Sequence, residues 1–220
     1  MQKSPHVQRS ILNPMAYSNF SLSKVKSDFG LSTHESQDLF ATTPPLQPSS
    51  LLMVALKEQI PLASAINTEK AKSELVIMPV LMEVRRQMGN QMAIFSGTAF
   101  DVEPTLGLDG RCDFILSQSP EQYYVAAPVL TIVEAKNESI PSGLGQCLAT
   151  MVAARIFNQR EGNAIDTIYG AVTTGNHWKF LKLTGNTAFI DTNDYFIKEV
   201  DKILGILTAM LQPETSLVTS

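Results

Sequence analysis

Cysteine and histidine are too scarce here to build a covalent or zinc-held framework. Cys112 and Cys147 are the two cysteines, and His6, His34 and His177 the three histidines, none at ligand spacing. A disulfide scaffold and a structural zinc site are therefore excluded. A long apolar run is also missing: the longest nearly unbroken one, residues 75–82, falls far short of the roughly 20 residues a bilayer-spanning helix requires. Positive charge is not in excess, since 17 Lys and Arg stand against 21 Asp and Glu for a net charge of −4. That balance excludes coating of nucleic acid by bulk electrostatics and leaves only a localised basic groove, for which Arg155, Arg160, Lys179 and Lys182 are the available residues. No Gly-Lys-Ser/Thr phosphate loop and no Gly-x-Ser-x-Gly elbow occur, and the stretch from Gly143 to Leu148 lacks the third glycine of a dinucleotide loop. The polar start, Met1 to His6, has no apolar signal core, so the expected location is cytoplasmic, without a membrane partner.

What remains is ordinary globular composition, 44% hydrophobic with 12 Gly and 12 Pro, enough for a sizeable core. Residues 1–60 are rich in Ser, Pro, Thr and Gln and are expected to form a partly helical arm, with helices near 22–29 and 49–59 separated by the proline-rich stretch 43–48. Residues 61–220 form the expected main domain. Thr68 is placed to cap a helix running to about residue 88, with Glu69 in its first turn, Arg85 and Arg86 in its last, and a kink at Pro79. Strands are expected near 92–102, 110–116 and 123–136 as an antiparallel meander, followed by a helix over 142–159 whose alanines permit close packing on a sheet. Strands near 167–173, 176–183 and 187–191 and a closing helix over 194–211 complete an α/β chain.

Charged residues finishing a buried strand require an explanation, because desolvating either without a partner is costly. The apolar strand beginning near Val129 ends in Glu134, Ala135 and Lys136, and strand alternation puts Glu134 and Lys136 on one face. Pairing with the preceding strand brings Asp113 close to Glu134. Two such carboxylates repel unless a cation lies between them, and magnesium suits them: it accepts one or two carboxylates, a backbone carbonyl, water and phosphate oxygens. Asp109, in an Asp-Gly turn, is the alternative acid, and Glu138 would complete a solvated patch if the pair were only a strand-end salt bridge. His177 and Cys147 read as packing residues.

Asp113, a gap of about twenty residues, Glu134-Ala135-Lys136, and a helix opening at Gly143 with Gln146 together resemble the PD-(D/E)XK superfamily of restriction-endonuclease-like nucleases. The resemblance covers roughly residues 65–183 and includes Thr173 to Phe180, which is similar to a strand-turn-strand of type I restriction nuclease domains. It implies an αβββαβ core with a central mixed sheet flanked by helices. It departs from the signature at Cys112, where the name has Pro, and at Thr150, where a helix motif beginning at Gln146 has Tyr. The resemblance implies a nuclease dependent on Mg2+, with Mn2+ as substitute, acting on nucleic acid, with DNA the expected substrate and RNA the alternative. Asp113, Glu134 and the Ala135 carbonyl would hold the metal, Lys136 would serve the attacking water and the developing charge, and Gln146 would orient Lys136 or a phosphate. Glu74 matches the family's first-helix acid better than Glu83, and the two lie on opposite faces of a regular helix. A homodimer would cut both strands of a duplex. The alternative is a nuclease-like fold used as a binding module for nucleic acid or protein.

Overall fold

The computed structural model describes residues 16–163 and 165–212. The elements in chain order are α1 (Leu22–Phe29), β1 (Ser32–His34), α2 (Ser50–Ile66), α3 (Glu69–Lys72), α4 (Met78–Gln87), β2 (Ala93–Ala99), β3 (Arg111–Ser117), β4 (Val129–Ala135), α5 (Ile140–Arg160), β5 (Thr167–Thr173), β6 (His177–Thr184), β7 (Thr187–Ile190), β8 (Tyr195–Phe196) and α6 (Val200–Met210). The strands make one eight-stranded mixed sheet in the order β1-β7-β6-β5-β4-β3-β2, with β8 added beside β6. β2, β3 and β4 form the expected antiparallel meander, and β5 returns parallel to β4 after the crossover through α5. Among the described residues no helix is long and apolar enough to cross a membrane.

Helices cover both faces of the sheet. One core joins Val25 of α1 and the buried run Cys147 to Ala154 of α5 to Ile132, Val172 and Leu181. The other joins Leu52 of α2, Val80 of α4 and Ile203 of α6 to Phe114, Val133 and Phe180. Helix α5 sits close to the sheet because Gly170 has no side chain: a Cβ there would come 2.5 Å from the Met151 sulfur and 2.9 Å from the Cys147 sulfur.

Residues 16–60, expected as an arm, are partly helical and are built into these cores. Tyr17, Phe20 and Val25 are buried, and the Tyr17 hydroxyl donates to the Phe100 carbonyl at 2.6 Å. β1 pairs in parallel with β7, closing the sheet edge. Residues 1–15 lie outside the described residues.

Thr68 caps as expected, its hydroxyl accepting the Ala71 N–H. The helix after it does not simply kink at Pro79. Proline offers no N–H to the preceding turn, and the chain forms a π-helical turn over Ser73–Ile77 before α-helix resumes. Glu83 faces inward, where its carboxylate accepts the Ser49 N–H and hydroxyl at 2.9 and 2.8 Å and bonds from Arg86 and Gln87. Burial pushes its pKa up, but the bonds from Arg86, Gln87 and Ser49 outweigh burial and bring it down to about 2. The third expected strand starts later, at Val129. Pro128 has no ladder donor, and Val129 instead exchanges bonds with the Asn158 side chain. The closing helix also starts later than expected, at Val200, because Tyr195 and Phe196 pair with Trp178 and His177.

Candidate active site

The adjoining ends of β3 and β4 carry the candidate residues. Asp113 stands near the start of β3, and its Oδ2 accepts the Ala135 N–H at 2.8 Å, which ties the acid to the end of β4. The end of β4 is held from the other side by β5: Ala135 pairs with Thr173, and the Lys136 N–H donates to the Thr173 carbonyl at 2.8 Å. Glu134 is 1% exposed. Lys136 lies beside it, its ammonium donating to Glu134 Oε1 at 2.6 Å and to Gln146 Oε1 at 3.1 Å. That arrangement depends on Gly143. A Cβ at this position would come 2.6 Å from Val172 Cγ1 and 3.0 Å from Lys136 Cγ, so a side chain on the first turn of α5 would push the lysine away. Gly145, two residues on, allows a different close approach, since a Cβ there would meet the backbone of Phe20 to Leu22.

The electrostatics follow from burial. Desolvation, and next the charge of Asp113, push the Glu134 carboxyl up to about 8, with Lys136 opposing both. For Lys136, burial acts to lower the pKa, but Glu134 and, more weakly, Glu69 and Asp113 raise it above the ordinary lysine value. Burial and the neighbouring Asp113 therefore both favour a protonated Glu134, with a cationic lysine beside the pair.

Asp113, Glu134, Ala135, Lys136 and Gln146 are thus brought together. Glu74 is not part of that hydrogen-bonded group: its side chain is 60% exposed and pairs with Lys70. It stands on the wall of an adjoining cleft of about 220 Å³ that Glu69, Ser73, Gly97 and Asp113 also line. Glu69 is the residue sequence reasoning passed over. It lines the cleft with Asp113 and its charge reaches Lys136. Its signal was the Thr68 cap, read only as a helix start. Lys72 fastens this helix to the loop after β4, donating to the Asn137 carbonyl at 2.6 Å.

Among the described residues no group of three or more His, Cys, Asp or Glu side chains is arranged to hold a metal ion. The two-carboxylate set nonetheless suits a hard cation of magnesium's kind, which takes one or two carboxylates and fills its remaining positions with water and substrate oxygens. The donor set supports this fit: Glu134 is buried next to Asp113 at the adjoining strand ends, and a cation there would offset the desolvation of Glu134 and, after it, the charge of Asp113.

The basic residues available for a groove are engaged within the chain, Lys182 with its ammonium over the Tyr169 ring. Arg155 donates to the Gly185 carbonyl, Arg160 pairs with Glu103, and Lys179 donates to the Thr192 and Asn193 carbonyls. His177 bonds Asp194 and stacks on Phe196, and Cys147 is buried against the sheet. No protein-family model, curated protein or solved structure matches the chain.

Proposed function

We propose that the chain is a magnesium-dependent nuclease of the PD-(D/E)XK kind, hydrolysing phosphodiester bonds in DNA rather than RNA. The observation that carries this reading is the convergence of Asp113, Glu134 and Lys136 where β3 and β4 meet, with the Lys136 ammonium oriented by Gln146 from α5. The order of one helical segment, three antiparallel strands, a crossover helix and a parallel strand supports the same reading.

Asp113 and Glu134 would hold the metal, with the Ala135 carbonyl as a further donor. Magnesium, when bound, supplies a Lewis acid for the phosphate oxygens. Lys136 presents a fixed positive charge to the pentacovalent phosphorus centre, where negative charge develops, and so lowers the barrier without reorganising. Gln146 Oε1 accepts a second bond from the ammonium that Glu134 holds and so fixes its direction, and Gly143 leaves room for the lysine stem. A binding module remains the second reading, favoured by the pairing of the Lys136 ammonium with Glu134 at 2.6 Å, a strand-end ion pair that needs no catalytic role.

Cleavage of supercoiled plasmid, linear duplex, single-stranded DNA and RNA separates the two. The nuclease reading requires turnover with magnesium that stops with chelator and is lost in Glu134→Gln. The binding module predicts association without turnover, unchanged or tighter in Glu134→Gln, since removing negative charge reduces repulsion of phosphate. Absence of any metal-dependent cutting by the native chain defeats the nuclease reading.

A further inference from the structure

Asp113 has cations on its β4 side: Lys136 follows that strand, and Lys72 donates to the Asn137 carbonyl just beyond it. On its other side, strands β2 and β3 lose their pairing for one step. The register joins Ser96 to Phe114 and Thr98 to Cys112, and leaves Gly97 opposite Asp113 without a ladder pair. Gly97 is left-handed there, with a φ of 60°, a conformation that a residue with a side chain rarely adopts. A Cβ on it would meet nothing within 4 Å, so the glycine serves the backbone and not close packing. Gly97 and Asp113 both line the cleft of about 220 Å³.

The Gly97 carbonyl accepts a bond from the guanidinium of Arg111, an exposed residue at the start of β3. That bond occupies one of the five N–H donors of the group. Among the described residues Arg111 has no ion-pair partner, although Glu69 and Glu74 line the same cleft. Lys70, another cation at the cleft, is paired with Glu74. Bracing one carbonyl needs only one donor. A held guanidinium with donors to spare also suits two oxygens of one phosphate, which its planar fork matches.

We propose that Arg111 binds a backbone phosphate of a DNA strand, the next one along from the phosphate that Lys136 serves. Neighbouring strands of a sheet lie about 4.8 Å apart, so the Gly97 carbonyl on β2 and the end of β4 are about 10 Å apart across β3. One phosphate does not span that distance, whereas two consecutive phosphates do, with Asp113 between them. Glu69 and Glu74 repel a polyanion, so a strand entering this cleft requires a held cation at its rim. The anchor rests on the nucleic-acid part of the nuclease reading and requires no turnover.

The test is fluorescence anisotropy of a short labelled DNA duplex with the full chain, in calcium as the hard cation, over a series of salt concentrations, with plasmid cleavage in magnesium measured beside it. Arg111→Ala should weaken binding about tenfold and lower the slope of log affinity against log salt by about 0.9, the share of one phosphate contact. Arg111→Lys should keep the slope, because the charge remains, and recover part of the affinity, because the fork is lost. Equal affinity and slope in Arg111→Ala and the native chain overturn the anchor, and cleavage by both then leaves the nuclease reading standing. A loss of affinity with an unchanged slope also overturns it, since the guanidinium then only braces Gly97. The expected pattern without any cleavage upholds the anchor while the nuclease reading falls, and a native chain that binds no DNA overturns both.

Discussion

Lys136 stands between a carboxylate at 2.6 Å and an amide at 3.1 Å, so its ammonium is held in one place before any substrate arrives. A fixed charge of that kind is worth most where charge develops. Lys136→Ala is accordingly expected to slow magnesium-dependent cleavage on the order of a hundredfold or more. If Asp113 and Glu134 hold magnesium, the metal should raise the melting temperature of the native chain and of the same variant alike, because the acids are untouched. Equal cleavage by the two proteins would remove Lys136 from the chemistry. Glu134 makes a separate prediction through its raised pKa of about 8 against an ordinary 4.5. Between those values the native chain binds a proton that the unfolded chain has lost. Its contribution to stability is therefore complete below the lower value and is lost as pH rises through the upper one. Without metal, the melting temperature of the native chain should fall from about pH 5 to about pH 8 relative to Glu134→Gln. Glu83, held near 2, is ionised in both states over this window and adds no slope. A relative rise over the same range would contradict the assignment.

At the scale of elements, Glu83 joins two helices by accepting the Ser49 backbone and side-chain bonds at the start of α2 from its place in α4. Glu83→Ala would leave these donors, Arg86 and Gln87 without their acceptor and should cost about 2–4 kcal/mol by urea denaturation. Glu74→Ala, which removes only an exposed pair, should change stability by less than about 0.5 kcal/mol. Equal losses in the two variants would remove the bridging role given to Glu83. This difference was not legible in the sequence, because the partner that fixes Glu83 is 34 positions away and the π turn shifts the helical phase that had set Glu74 and Glu83 on opposite faces. Local signals were read more securely. Ser21 and Gly30 bracket α1 as cap and left-handed stop, and the apolar stretch of β5 ends where expected. The strands fixed by distant pairing were missed: β1 is three residues without clear alternation, and β8 borrows its pairing from β6. In the site, Asp113, Glu134 and Lys136 were legible because charges at the end of an apolar strand violate its pattern. Glu69 violated nothing, since an acid in a first turn is ordinary helix chemistry.

For the whole molecule, the segment before residue 61 contributes Tyr17, Phe20, Val25 and Leu31 to one core and Phe40, Leu52 and Leu56 to the other, all buried. Each such side chain is worth about 1.5–3 kcal/mol of burial, and together they match or exceed the roughly 5–15 kcal/mol that holds a typical domain folded. A chain beginning at residue 61 should therefore show no cooperative unfolding transition by circular dichroism. A sharp transition near that of the full chain would show that the segment is dispensable. The two thiols carry a consequence of a different kind. Cys112 and Cys147 are wholly inside, and burial is the main reason that the first is pushed up to about 12 and the second well above the ordinary thiol value. A thiol reagent finds no thiolate in the folded chain, so labelling must wait for the structure to open. Because Cys147 is wedged between α5 and Gly170 and Cys112 lies on the strand that bears Asp113, the rate of modification becomes a clock for the opening of the scaffold that carries the candidate site. Magnesium, if it binds the acids, should slow that clock with no substrate present.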